Sequence, residues 1–216
     1  MKFSLPLRRL SGLTLFLLVL LLTPICASAE KLAAPQQVIQ DISDSLQGVL
    51  GDNGDLLKSD PAYVYRLANE VLVPHIDFSR VSSLVLGKHW RRASVPEREA
   101  FAREFQRLLV RTYSTAFHEF DMWEIRYQPL RMKAGSDDIS VQTKVIRSGA
   151  APVAVVYRMH LKEGRWMAYD VKIEGISLVT NYRSGFARDL RKGDMTHLIQ
   201  RLSDLNERRL KRVAVK

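Results

Sequence analysis

The spacing of apolar residues changes character partway along the chain, and this change limits the fold more than any other feature. Before Asp121 the apolar residues recur every three or four positions. Val38, Ile39, Ile42, Leu46, Val49 and Leu50 form one such stripe, and Val64, Leu67, Ala68, Val71 and Leu72 form the next. That spacing puts them on one face of a helix. Beyond Asp121 the period becomes two. Ile139, Val141, Thr143 and Val145 alternate with polar residues, as do Val153, Val155, Tyr157, Met159 and Leu161. After the Glu163-Gly164 turn the alternation continues through Met167, Tyr169, Val171 and Ile173. Adding Trp123 to Met132 before and Ile176 to Thr180 after gives four or five antiparallel strands. Helical spacing returns at Phe186 and Leu190, then Met195, Leu198, Ile199, Leu202 and Leu205. Helices, a meander and helices again predict an α+β domain, with helices packed on one sheet face.

Local punctuation agrees with this division. Gly51 stops the first helix, and Asp60-Pro61 reads as an N-cap followed by proline at the first helical position. Pro74 closes the second helix. Asp77 caps a short third one that presents Val81, Leu84 and Val85 and ends at Gly87. Ser94 with Glu97 three residues on forms a capping box for the longest helix, expected over 95–120. Its stripe holds Phe101, Phe105, Leu108, Leu109, Thr112, Ala116, Phe117 and Phe120.

The amino terminus carries an address rather than fold. Lys2, Arg8 and Arg9 precede an apolar run from Leu13 to Leu22, and Ala27-Ser28-Ala29 supplies small residues for cleavage. The run is half the length of about 20 residues that a spanning helix needs. Residues 1–29 are therefore expected to be a cleaved signal peptide, and Ile25 before Cys26 does not suit lipidation. Cleavage takes away three basic residues and lowers the net charge from +10 to +7. It also removes Cys26, the only cysteine, so disulfides and cysteine-bound metal are excluded from the mature domain. Export without disulfides points to the periplasm. The expected organisation is one domain over 30–207 and a basic tail over 208–216, which includes Arg208, Arg209, Lys211 and Arg212. Export and the scatter of basic residues argue against nucleic acid as a partner.

Catalytic signatures are missing or broken. Gly175-Ile176-Ser177 fails the nucleophile-elbow pattern because Val179 holds the last place. His118-Glu119 fails the zinc-protease pattern because Met122 stands where the second histidine belongs. His75 with Asp77 could be an acid–base pair, but a helix cap is the stronger reading of Asp77. His160 reads as a packed or surface strand residue. Asp170 could be a buried base, although pairing with Arg or Lys is the favoured reading. No cofactor or metal is expected, and the chain does not read as an enzyme.

Three stretches carry a resemblance to a known family. They are VPHIDFSRVSSLVLG from Val73 to Gly87, GKHWRRASVPEREAFAREFQRLLVRTYSTAF from Gly87 to Phe117, and YDVKIEGISLVTNYRSGF from Tyr169 to Phe186. They resemble the MlaC family, the periplasmic component of the bacterial Mla phospholipid-transport system, also called the toluene-tolerance auxiliary family. The likeness spans roughly Gln36 to Leu205 and does not reach the tail after Arg208. It implies a monomeric carrier that shuttles phospholipid between outer and inner membranes and contributes to lipid asymmetry and solvent tolerance. The implied partners are an outer-membrane lipoprotein–porin complex and an inner-membrane ABC transporter with an MCE-domain ring, each met transiently. The implied fold is a strongly curved antiparallel sheet covered by helices, in part like a nuclear-transport-factor cone, with acyl chains inside.

On that reading an apolar cavity is expected between the long helix and the inner sheet face. The helical wall would be Val71, Val81, Leu84, Val85, Phe105, Leu108, Leu109 and Tyr113. Val141, Val155, Tyr157, Tyr169 and Val171 would stand opposite. A basic rim for a head group or partner is expected at Lys88, Arg91 and Arg92, because cations there follow a helix stop. Two other readings remain: a binder of small apolar solutes, and a cone-fold enzyme with a buried carboxylate base.

Overall fold

A computed structural model describes residues 32–53, 59–114, 122–133 and 135–214. Helix α1 runs Ala34–Asp52 and α2 runs Pro61–Val71, where the Asp60 carboxylate accepts the Ala62 amide at 2.8 Å. A single 3₁₀ turn over Val73–His75 follows, because Pro74 cannot continue a helix. Helix α3 spans Phe78–Leu86, and Asp77 accepts the Arg80 amide at 3.0 Å, so the cap reading of Asp77 holds. Gly87 stops α3 at φ +55°, and the Arg183 guanidinium lies so close that an added Cβ would meet it at 2.9 Å. The positive φ is what favours glycine here, since the end of the flexible Arg183 side chain could move aside.

The segment after Gly87 forms a short helix, α4, over Lys88–Arg92. Helix α5 spans Val95–Ser114 and begins with the expected capping box: Ser94 donates its amide to Glu97 at 2.8 Å, and its hydroxyl accepts the Glu97 amide at 3.4 Å. The expected continuation of this helix through Ala116, Phe117, His118 and Phe120 lies outside the described residues. Helices α6, Leu178–Lys192, and α7, Met195–Ala214, close the chain.

Five antiparallel strands in chain order form an open sheet among the described residues: β1 Trp123–Tyr127, β2 Asp138–Arg147, β3 Val153–Lys162, β4 Arg165–Ile173 and β5 Ile176–Ser177. Two expectations are corrected. The strand expected over Trp123 to Met132 stops at Tyr127, short of Pro129, which has no amide for a ladder. The strand expected over Ile176 to Thr180 is two residues long, because Ser177 accepts the Thr180 amide at 3.1 Å and starts α6. Ile76 adds a parallel bridge to Ala168, so the outer edge of β4 is partly covered by the turn before α3.

The register contains one irregularity with a large consequence. Arg158 pairs with Asp170 but Met159 pairs with Ala168, so Tyr169 is an extra residue in β4. Tyr157 pairs with both Val141 and Val171, and Val155 pairs with Thr143 and Ile173, so these share one face. Strict alternation would have put Tyr169 with them. The bulge instead turns it toward Arg158 and His160 on the other face.

Helices consequently meet both sheet faces, not one. Ile39 of α1 packs on Val141 and Met159, while Tyr169 joins Val81, Val85, Phe101, Phe105 and Phe186 on the opposite side. A third packed group joins Leu46 of α1 to Val64 and Leu67 of α2.

Candidate functional site

The thirteen apolar positions picked from the sequence divide by packing. Val81, Val85, Phe105, Leu108 and Tyr169 are sealed inside the group between α3, α5, α6 and α7. The phenylalanines there make a cage: Phe101 and Phe105 each meet Phe186 edge-on with centroids 5.5 and 5.3 Å apart. Such geometry adds to the stabilisation that area burial gives. Val141 is equally sealed, but in the group under α1. Val155 is buried as well, at 7 % exposure, and lies outside the three groups.

The remaining members are only half-buried, and each packed group supplies some of them. Leu84 and Leu109 border the aromatic group, Val71 borders the α1–α2 group, and Tyr157 borders the group under α1. Val171, beside Tyr157 on β4, belongs to none of the three. Tyr113 is half-buried too and hydrogen-bonds Tyr182. Burial pushes the phenols of Tyr113 and Tyr157 both up to about 12.

Where α3 meets the sheet, a polar network takes over. The Arg80 guanidinium donates to His160 Nδ1 at 3.0 Å and to Asp138 at 2.8 Å. Since guanidinium can only donate, Nδ1 must accept, and Nε2 then carries the proton that it gives to Asp77 at 3.1 Å. Lys162 reaches the same Asp77 oxygen at 3.1 Å. Burial alone would raise the Asp77 pKa, but the Arg80 amide, Lys162 and His160 outweigh it and hold it below the ordinary value. The Tyr169 hydroxyl donates to Asp138 at 2.7 Å, and its ring lies under Arg80 at 4.2 Å and Arg158 at 4.8 Å. His160 is packed, the first of the two places its strand position allows, while Arg80 and Asp138 carry no signal in the sequence for this network. The network joins residues up to 83 positions apart, so no local pattern could have announced it.

The carboxylates considered for catalysis are otherwise engaged. Asp170 does not pair with Arg or Lys as favoured from sequence. It accepts the Ser177 hydroxyl at 2.7 Å and the Val179 amide at 3.1 Å, and so anchors the start of α6. Lys88, Arg91 and Arg92 are exposed on α4, where Arg98 braces the Trp90 carbonyl at 2.8 Å. Among the described residues no cluster of three or more metal-binding side chains occurs, and no helix is long and apolar enough to cross a membrane.

Comparison with known proteins identifies the relatives. The chain is 24% identical over 190 residues to the intermembrane phospholipid transport system binding protein MlaC of Haemophilus influenzae, covering 87% of this chain and 88% of that one. It is 29% identical over 154 residues to the toluene tolerance protein ttg2D of Pseudomonas putida, covering 71% of each. The fold matches the phospholipid-binding protein of Ralstonia solanacearum, solved in complex with a phospholipid, at a TM-score of 0.75 and 27% identity. That match covers 82% of this chain and 99% of the other. Finally, the sequence profile of the MlaC protein family matches residues 40–204, and with so much of the described domain inside it the chain belongs to the MlaC family.

Proposed function

We propose that this chain is a phospholipid carrier of the bacterial periplasm, exported by residues 1–29 and acting as a monomer. The observation that carries the reading is the fold match to almost the whole of a protein solved with phospholipid bound. The half-buried apolar set supports it from within the chain. We assign the acyl chains to the half-buried apolar set, Val71, Leu84, Leu109, Tyr113, Tyr157 and Val171, and the sealed residues to holding the surrounding elements in place.

The physical task explains this division. Each methylene left in water costs about 0.8 kcal/mol, so two chains of about 15 carbons forfeit on the order of 20 kcal/mol outside a membrane. A carrier must enclose the tails, yet its empty chamber must not collapse. A rigid aromatic cage on one side and a sheet braced by α1 on the other meet that demand. Charged residues near the entrance, with Lys88, Arg91 and Arg92 as candidates, would face a head group or a partner. The partners in this reading are an outer-membrane lipoprotein–porin complex and an inner-membrane ABC transporter bearing an MCE ring.

Native mass spectrometry of protein purified from an exporting host, followed by organic extraction, tests the reading. Phospholipid leaving with the protein at a fixed stoichiometry is the expected result. Protein that emerges free of phospholipid, and takes none up from vesicles, would overturn it.

A further inference from the structure

A groove of about 500 Å³ lies between the β1–β2 connection and the start of β2. Its walls come from Leu130, Arg131 and Lys133 of the connection, Ser140 and Gln142 of β2, and Arg158 of β3. Asp138 is the single carboxylate in it, and that charge is already met by Arg80 and by the Tyr169 hydroxyl. Among the described residues no carboxylate pairs with Arg131, Lys133 or Arg158. The groove is thus a concavity with three uncompensated cations.

The position of Arg158 sharpens this. Its guanidinium stacks on the Tyr169 ring at 4.8 Å, which uses the face of the group and leaves its in-plane N–H donors available. The stack holds the side chain still, so little freedom is lost when a ligand arrives. Two guanidiniums and an ammonium exceed what one carboxylate can use. A tetrahedral anion with several oxygens can engage all three, and the hydroxyl of Ser140 and the amide of Gln142 add neutral donors.

We propose that this groove is a phosphate-binding site, filled by the phosphate of a phospholipid headgroup or by a free phosphate group. Tyr169 links it to the apolar interior: one end of the ring is sealed in the aromatic group, and the hydroxyl binds a wall residue of the groove. As a headgroup site it rests on the carrier reading; as a phosphate site it does not.

The test is an amide-shift titration of the ¹⁵N-labelled mature chain with inorganic phosphate, with sodium chloride matched for ionic strength as the control. It is run on protein stripped of lipid and on protein loaded with phosphatidylglycerol. Saturable shifts at Ser140, Gln142 and Arg158 in the stripped protein support the site. If loading produces such shifts and abolishes the response to phosphate, the headgroup fills the groove. If phosphate acts equally on both samples, the site takes free phosphate. The double variant Arg131→Ser/Lys133→Ser changes exposed residues only, and it should weaken phosphate binding about tenfold or more with an unchanged unfolding midpoint. Arg158→Lys keeps the charge and should weaken it less. Absence of saturable shifts in both samples, an equal response to chloride, or undiminished binding in the double variant overturns the proposal. Lipid extracted from the same samples reads the carrier function separately, so a phosphate-binding chain without phospholipid would remove that function and leave the site.

Discussion

Helix α5 presents two kinds of apolar residue within three turns. Phe105 and Leu108 are 1% and 4% exposed and packed on all sides, whereas Leu109 and Tyr113 keep accessible surface. Chemistry does not separate the two sets, since each holds one leucine and one aromatic. Partners do: the first set lies within the aromatic group around Phe186, while Leu109 borders that group and Tyr113 hydrogen-bonds Tyr182 at its margin. An apolar stripe therefore specifies burial, while the arrangement of neighbouring elements determines how completely protein covers each of its members.

The sharpest way to break this comparison is to hollow out the sealed side. Phe105→Ala should cost about 3–5 kcal/mol, because the rigid cage cannot collapse into the void. For a domain of this size that lowers Tm by roughly 10 °C, measurable by calorimetry on lipid-free protein. A loss below about 1 kcal/mol would mean that the cage is not the scaffold assigned to it.

Next in size is the polar brace between α3 and the sheet. Asp77→Asn leaves His160 and Lys162 facing a neutral amide, and should destabilise the domain by about 2–3 kcal/mol in urea unfolding at neutral pH. Linkage gives the sign. The native pKa of Asp77 lies below its ordinary 3.8, so the carboxylate stabilises the fold above that value and the contribution fades as pH falls below it. The gap between wild type and variant should close in acid; a constant gap would assign the loss to packing rather than charge.

The open side predicts a smaller change in stability and a larger one in loading. Val171→Trp should cost less than about 1 kcal/mol if its surroundings are a chamber, against about 1–3 kcal/mol in a close-packed core. Phospholipid co-purifying with the variant, measured by extraction, should fall severalfold. Normal loading with a large stability loss would reverse the assignment of Val171. The smallest effect on the fold belongs to Arg91→Glu/Arg92→Glu, within about 0.5 kcal/mol for exposed residues. Transfer of labelled phospholipid to acceptor vesicles or to an MCE ring should nevertheless slow, and unchanged transfer would remove α4 from the docking surface.

Taken alone, the sequence determined the order of helices and strands, most helix boundaries and the family. Caps at Asp60, Asp77 and Ser94, stops at Pro74 and Gly87, and the period change after Asp121 are local effects, decided within a few bonds of the residues involved. The sealed and half-buried residues could not be sorted that way, because Leu108 and Leu109 follow one another in one helix and differ only in what other elements bring to them. Tyr169 is the clearest case. Its place in the alternation assigned it to the face of Tyr157, and one extra residue in β4 turned it to the other face, between Arg80 and Arg158. A bulge depends on the register of two strands, and the cations of the groove come from the β1–β2 connection and from β3, which meet only in the folded sheet. Periodicity counts positions along one segment, so it is blind to registers and meetings between segments; tertiary packing alone decided those.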